Sequence, residues 1–161
     1  MEKQYKRVIS LLNKYRDNNN CIDVGTKELA PTQNSINRVE KSLKVQLPKS
    51  YLWFLKNYGY INIFGEEVFY ISNSIDVSKI ASADIVWNYF IYREDLSIKS
   101  YEIIFFKDEF GAIYFMDSSK MDKNGEYSIY TKFDVNGAGE DRFFYANNFL
   151  EFLEKQLKDC E

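Results

Sequence analysis

The sequence predicts an α+β fold, an antiparallel sheet with helices gathered largely on one side, and three observations lead there. Up to Gly59 the apolar residues recur at helical spacing. From Tyr60 to Tyr145 they shift toward alternation, in short runs rich in aromatic and β-branched residues separated by turn-forming pairs. A helical period then returns after Asn148 and closes the chain. At 161 residues, a single domain over 1–161 is expected.

Residues 3–17 read as an amphipathic helix, with Tyr5, Val8, Ile9, Leu12 and Tyr15 on one face and Lys6, Arg7, Lys14 and Arg16 outside. Taken over the helices up to Gly59, the Lys and Arg are spread out with acids between them, the pattern of a solvated face. Asn18-Asn19-Asn20 ends the helix, and Cys21 to Pro31 reads as an irregular connection. The organising stretch is Ile36 to Gly59. Ile36, Val39 and Leu43 line one face of a helix that Thr32 or Asn34 can cap. Pro48 starts a second helix, where its missing N–H costs nothing because the first turn lacks partners. Tyr51, Leu52, Leu55 and Tyr58 form its apolar face, Trp53 and Phe54 widen it, and Gly59 suits the left-handed stop.

Beyond Gly59, Tyr60–Phe64 and Val68–Ile71 read as strands about a hairpin at Gly65-Glu66-Glu67. Asn73 to Ser82 is polar and turn-like. Asp84 to Arg93 fits both periods and is read as helix. Tyr101–Phe106 is a strand, Lys107–Gly111 a turn, and Ala112–Met116 the returning strand. Asn124-Gly125 turns into Tyr127–Phe133, where Tyr127, Ile129, Thr131 and Phe133 point one way and Ser128, Tyr130 and Lys132 the other. Asn136-Gly137 turns again before a last strand over Arg142–Tyr145. Asn148 and Glu151 have capping-box spacing, opening a helix with Phe149, Leu150, Leu153 and Leu157 inward.

The chain contains no histidine, which removes Ser-His-Asp and Cys-His nucleophilic sites, His-ligated zinc and His-based acid–base chemistry. A carboxylate-based hydrolase would need two acids converging in a pocket; a non-enzyme without metal or cofactor is the expectation. Asp122-x-Asn124-Gly125-Glu126 lacks the ligand count of a calcium loop and reads as turn chemistry. Gly137-Ala138-Gly139-Glu140 lacks the Lys-Ser/Thr of a phosphate-binding loop. Cys21 and Cys160 stand far apart and make no disulfide framework, which points to a reduced, cytoplasmic protein; Cys160 reads as an incidental free thiol, with oxidation or pairing between chains as the alternative. No secretory signal and no membrane-length apolar run is recognised.

Net charge is −3, unevenly placed: residues 1–59 carry 11 Lys/Arg against 5 Asp/Glu, and residues 60–141 carry 7 against 15. Negative charge over the middle of the chain argues against direct nucleic-acid binding and for a basic protein partner.

Ile36-x-x-Val39-Glu40-x-x-Leu43, then Leu47-Pro48-x-x-Tyr51-x-x-Phe54-Leu55 and Gly59, resemble the SUKH superfamily. So do the Phe110-Gly111 turn before an aromatic strand ending at Asp117, and Ala146-x-x-Phe149-x-x-Phe152-Leu153. That superfamily includes the yeast Smi/Knr-type cell-wall regulators and many bacterial immunity proteins. Within it the chain looks most like the small single-domain YobK-type immunity proteins of Bacillus and relatives. The resemblance covers about residues 32–157, leaving the first helix outside that core. It implies an antitoxin that neutralises a cognate polymorphic toxin, often a nuclease. The alternative is an intracellular scaffold or regulatory module of the Smi/Knr type. Many members continue with consecutive glycines where this chain has Gly59-Tyr60-Ile61.

The motif residues Leu47, Pro48, Tyr51, Phe54, Leu55, Gly59 and Gly111 are read as structural. An inhibitor of a basic nuclease needs acids that steer it and large side chains that form a desolvated centre. The acids expected on loops and edges are Glu66, Glu67, Glu94, Asp95, Asp134, Glu140 and Asp141, with Tyr60, Phe64, Trp87 and Tyr92 as aromatic anchors.

Overall fold

The computed structural model describes residues 1–16, 21–74, 76, 82–95, 98–133 and 141–160. Among these, the helical first third comprises α1 (Glu2–Tyr15), α2 (Gln33–Leu43) and α3 (Lys49–Tyr58), with a short strand β1 (Ile22–Val24) and a 3-10 turn (Lys27–Leu29) between α1 and α2. There follow β2 (Ile61–Ile63), β3 (Glu66–Glu67), α4 (Ile85–Asp95), β4 (Glu102–Lys107), β5 (Ala112–Asp117), β6 (Ile129–Phe133), β7 (Phe143–Ala146) and α5 (Phe149–Lys158). The α+β class holds. The strands, however, form two antiparallel sheets, β1-β2-β3 and β4-β5-β6-β7, where one was expected.

Residues expected to be irregular form β1, which pairs Ile22 with Ile63 and Val24 with Ile61. Three residues are too few to show a period, so only the pairing reveals them. The hairpin turn also moves: it is Phe64-Gly65, while Glu66 and Glu67 lie on β3 opposite Ile63 and Asn62. Val68–Ile71 is not a strand; Tyr70 makes only an isolated bridge to Asp84. The helical reading of the 84–93 stretch is borne out as α4, with Asp84 as its cap: Asp84 Oδ1 accepts the N–H groups of Val86 and Trp87, both at 3.0 Å. The turns expected at Asn18–Asn20 and Asn136-Gly137, and the Gly137–Glu140 stretch, lie outside the described residues.

Thr32, not Asn34, caps α2, its Oγ1 accepting the Ser35 N–H at 3.2 Å. Pro48 occupies the cap position of α3 and offers no side-chain acceptor there. Gly59 ends α3 at φ 77°, and a Cβ on it would stand 2.6 Å from that of Leu29, so glycine also allows the 3-10 turn to approach. Asn148 Oδ1 accepts the Glu151 N–H at 2.9 Å; the reciprocal arm from Glu151 lands on the Asn147 N–H at 3.0 Å, one residue before the expected one.

The core is aromatic where α3, α5 and β4 meet. The Phe149 ring lies 5.1 Å from Tyr51, 5.6 Å from Phe54 and 5.7 Å from Phe105, and Phe152 packs edge-on to Phe105 at 4.8 Å. Each buried ring contributes about 2–3 kcal/mol by area alone, with about 0.5–1.5 kcal/mol more from each well-oriented pair. Val8 and Leu12 of α1 are fully buried, while Ile9 is exposed. The strand expected over Tyr127–Phe133 begins at Ile129; Tyr127, just before β6, and Ile129 are buried as expected, but Phe133 of the same set is exposed. Asp122 Oδ1 accepts the N–H groups of Asn124 (2.8 Å) and Glu126 (2.9 Å), which is turn chemistry.

The two cysteines are not free. Cys21 and Cys160 form a disulfide with Cα atoms 5.8 Å apart, tying the start of β1 to the end of α5. Their separation of 139 residues hides this pairing from any local pattern.

A candidate protein-binding face between two hairpin tips

The turn between β2 and β3 has two residues, Phe64 at φ 53° and Gly65 at φ 92°. A two-residue hairpin with both central φ values positive follows the twist of its strands and favours Asn-Gly or Asp-Gly. Glycine fills the second place, but a bulky phenylalanine fills the first, at a conformational cost of about 1–2 kcal/mol. Asn62 Oδ1 accepts the Gly65 N–H at 2.8 Å, and the Cys21 carbonyl accepts that of Phe64 at 2.7 Å. The turn is held, and the Phe64 ring is left 44% exposed at its tip.

The β4–β5 hairpin presents a second ring. Asp108 organises its turn: Oδ1 accepts the N–H groups of Phe110 (3.0 Å) and Ala112 (2.8 Å), and the Asp108 carbonyl accepts that of Gly111 (3.1 Å). Gly111 takes φ 81°, the left-handed conformation this turn requires. Phe110 is thereby 80% exposed, more than any other large apolar residue described.

A cleft of about 390 Å³ opens between the tips, walled by Ile63, Phe106, Tyr114 and Tyr145. Glu66, Asp108, Glu109 and Asp159 also line it, and no Lys or Arg does. Burial raises the Tyr114 hydroxyl above its ordinary range, reinforced by Tyr145 and by negative Asp108, so it stays protonated and can donate to Asp108 Oδ2 at 3.3 Å. Burial likewise raises Tyr145, against the Gln156 amide that donates to it at 2.9 Å.

Three of these carboxylates lack the partners that several other acids of the chain have. Glu102 is paired with Lys132 at 2.9 Å, Asp117 with Arg142 at 2.8 Å, and Glu154 with Lys158 at 3.0 Å. Asp84 caps α4, and Glu126 is buried against Ser50. Part of the acidic excess of residues 60–141 is therefore internal structure, not outward field. Glu66, Glu109 and Asp159 make no side-chain hydrogen bond or ion pair with any described residue.

Of the residues singled out from sequence, five gather around the β2–β3 hairpin. Phe64 and Glu66 line the cleft just described. Glu67 and Tyr92 line a neighbouring depression that Glu66 shares, with Tyr92 stacked on Phe69 at 6.3 Å. Tyr60 lies on the hairpin's other flank and donates its hydroxyl to Asp23 Oδ2 at 3.0 Å. Trp87 and Glu94 are not part of this face: with Phe90 and Ile91 they line a separate cleft of about 450 Å³ between α4 and α2. Asp141 is exposed just before β7, and Asp95 is the last residue of α4. Asp134 and Glu140 lie outside the described residues. Sequence reasoning missed Asp108, Glu109, Phe110 and Asp159. A phenylalanine flanked by Glu109 and Gly111 in a predicted turn was a usable sign; Asp159 had none.

Among the described residues, the Thr131 hydroxyl is the sole buried side-chain polar atom without a partner. No group of three or more metal-ligating side chains is found among them, and no helix is long and apolar enough to cross a membrane. Exposed rings beside unpaired surface charge, on an α+β domain whose internal polar groups are committed, are features that a protein-binding module uses. Residues 33–153 match the family model described as SMI1-KNR4 cell-wall, SUKH_6. The chain belongs to the SUKH superfamily, whose members are generally immunity-type or Smi/Knr-type binding domains and not enzymes.

Proposed function

We propose that this protein is a bacterial, YobK-like immunity protein that binds and neutralises a cognate polymorphic toxin, a basic nuclease domain, one-to-one in the cytoplasm. The observation that carries this reading is the trio of unpaired carboxylates, Glu66, Glu109 and Asp159, beside two exposed phenylalanines. Unpaired surface charge accelerates encounter with an oppositely charged partner, and projecting rings supply the area that desolvation needs. Inhibition requires only that the toxin's basic active-site face be covered, without chemistry by the inhibitor. In a reducing cytoplasm Cys21 and Cys160 would be thiols, packed in and against the same hydrophobic core.

Co-expression with the C-terminal toxin domain encoded beside it tests this. Growth should be rescued, and the two chains should co-purify. Persistent toxicity, with binding no better than to a charge-matched control protein, would remove the proposal.

A second reading is a scaffold of the Smi/Knr type, favoured by the separate apolar cleft between α2 and α4, since a scaffold needs two independent surfaces. Simultaneous occupancy of both clefts by different proteins would support it.

A further inference from the structure

We infer that the cleft between the hairpin tips receives an arginine side chain from a protruding loop of the protein partner, with Phe64 and Phe110 flanking the guanidinium. This names the partner's contact at the face proposed above. It does not depend on the partner being a nuclease.

Charge complementarity is the first support. Carboxylates approach the cleft from three separate parts of the chain: Glu66 on β3, Asp108 and Glu109 in the β4–β5 turn, and Asp159 at the end of α5. No lining residue is cationic. Asp108 is occupied with its own turn, leaving Glu66, Glu109 and Asp159 with their acceptor positions open.

The shape and the walls supply the second. A space of about 390 Å³ takes one long side chain with its attached backbone, not a helix or a folded element. Its walls are aromatic and aliphatic, and both tip rings stand exposed at its edge. A guanidinium stacks on aromatic faces and meets carboxylates in a planar, bidentate geometry; an ammonium is more strongly hydrated and does neither as well. Acids beside rings therefore select arginine over lysine. An acidic peptide would be repelled, and an apolar one would leave the carboxylates desolvated and unpaired.

The test uses the full-length protein, 15N-labelled, titrated at low ionic strength with tetra-arginine, tetra-lysine and tetra-glutamate peptides. Tetra-arginine should shift the amides of residues 64–66 and 109–111, with affinity above that of tetra-lysine and no response to tetra-glutamate. Phe110→Ser, and separately the Glu109→Gln/Asp159→Asn pair, should each weaken tetra-arginine by about fivefold to tenfold, the loss of one cation–π or exposed ionic contact. The exposed Glu94→Gln/Asp141→Asn pair removes the same charge elsewhere and should leave affinity within about twofold, the residual long-range effect. Well-dispersed amide spectra for all variants keep loss of fold from passing as loss of binding. Shifts scattered over the acidic surface, equal weakening by the two charge pairs, or an acidic or apolar peptide in the cleft would overturn the inference. Neutralisation of a toxin unaffected by Phe110→Ser would sink this inference while leaving the immunity reading intact. Arginine seated in the cleft with no toxin neutralised would do the reverse.

Discussion

The Glu126 carboxylate accepts the backbone N–H of Ser50 at 2.9 Å and its hydroxyl at 2.5 Å, so a turn 76 residues away supplies the cap that Pro48 cannot give to α3. Both residues are buried. Glu126→Ala should destabilise by about 1–3 kcal/mol, because it strands two buried donors. Burial pushes the Glu126 carboxyl above its ordinary range, only partly countered by the Ser50 hydrogen bonds. The sign follows: its contribution is most favourable below the unfolded-state value, where the proton is held in both states, and is lost as pH rises through the folded-state value. Glu126→Gln keeps an acceptor without the charge. Relative to wild type it should gain stability between about pH 4 and pH 7, measured by urea unfolding at both. A difference between the two proteins that does not move with pH would refute this account.

Phe64 gives the clearest opposition between stability and binding. Phe64→Asn suits the left-handed position and should raise unfolding free energy by about 1 kcal/mol, since asparagine tolerates that conformation and the ring is half exposed. The same substitution should weaken the partner. If thermal denaturation shows Phe64→Asn to be less stable than wild type, the ring is holding the hairpin down and is not merely displayed by it.

How far the sequence foretells this molecule depends on the reach of each interaction. The α3 motif, α4, the β4–β5 hairpin and the Asn148–Glu151 cap were legible because residues a few positions apart decide them. β1 was not, because three residues acquire strand identity only from β2. The turn at Phe64-Gly65 was displaced in the reading because no turn preference puts phenylalanine at positive φ. The site divides in the same way. Glu66 and Phe64 stood out locally, whereas Asp159 reaches the cleft only after α5 packs against α1 and α3. Glu102, Asp117 and Glu126 looked like surface charge until folding gave them partners or buried them.

The cysteine bridge closes a loop of 139 residues. Chain entropy sets a ceiling of about 5 kcal/mol for such a loop, and native bridges typically contribute about 2–4 kcal/mol. Reductant should therefore lower the unfolding midpoint of the wild type and leave that of Cys160→Ser unchanged. Equal midpoints for oxidised and reduced wild type would show the bridge to be energetically idle.

Gly59 and Gly65 both have positive φ, but only one is crowded. A Cβ at Gly59 would meet the Leu29 Cβ at 2.6 Å and its carbonyl at 2.9 Å, while one at Gly65 would meet nothing within 4 Å. Gly65→Ala should cost about 1–2 kcal/mol, the conformational term alone. Gly59→Ala should cost about 2–4 kcal/mol, as steric displacement of the 3-10 turn is added. Equal costs in denaturant titrations would mean that the 3-10 turn gives way freely, and that the family motif keeps this glycine for its backbone angle and not for its neighbour.

The unpaired acids should act mainly on the rate of encounter. Glu66, Glu109 and Asp159 each leave a charge facing solvent beside the cleft. Converting Glu66 and Glu109 to glutamine should lower the association rate with the toxin domain proposed above as partner by about tenfold at low salt, and flatten its dependence on ionic strength. Phe110→Ser should instead raise the dissociation rate, because a ring makes its contact only after docking. Stopped-flow association at about 20 mM and about 300 mM salt separates the two, since the Debye length falls from about 20 Å to about 6 Å across that range. If the glutamine variants change only dissociation, their carboxylates form short-range contacts and the long-range steering assigned to this face is wrong.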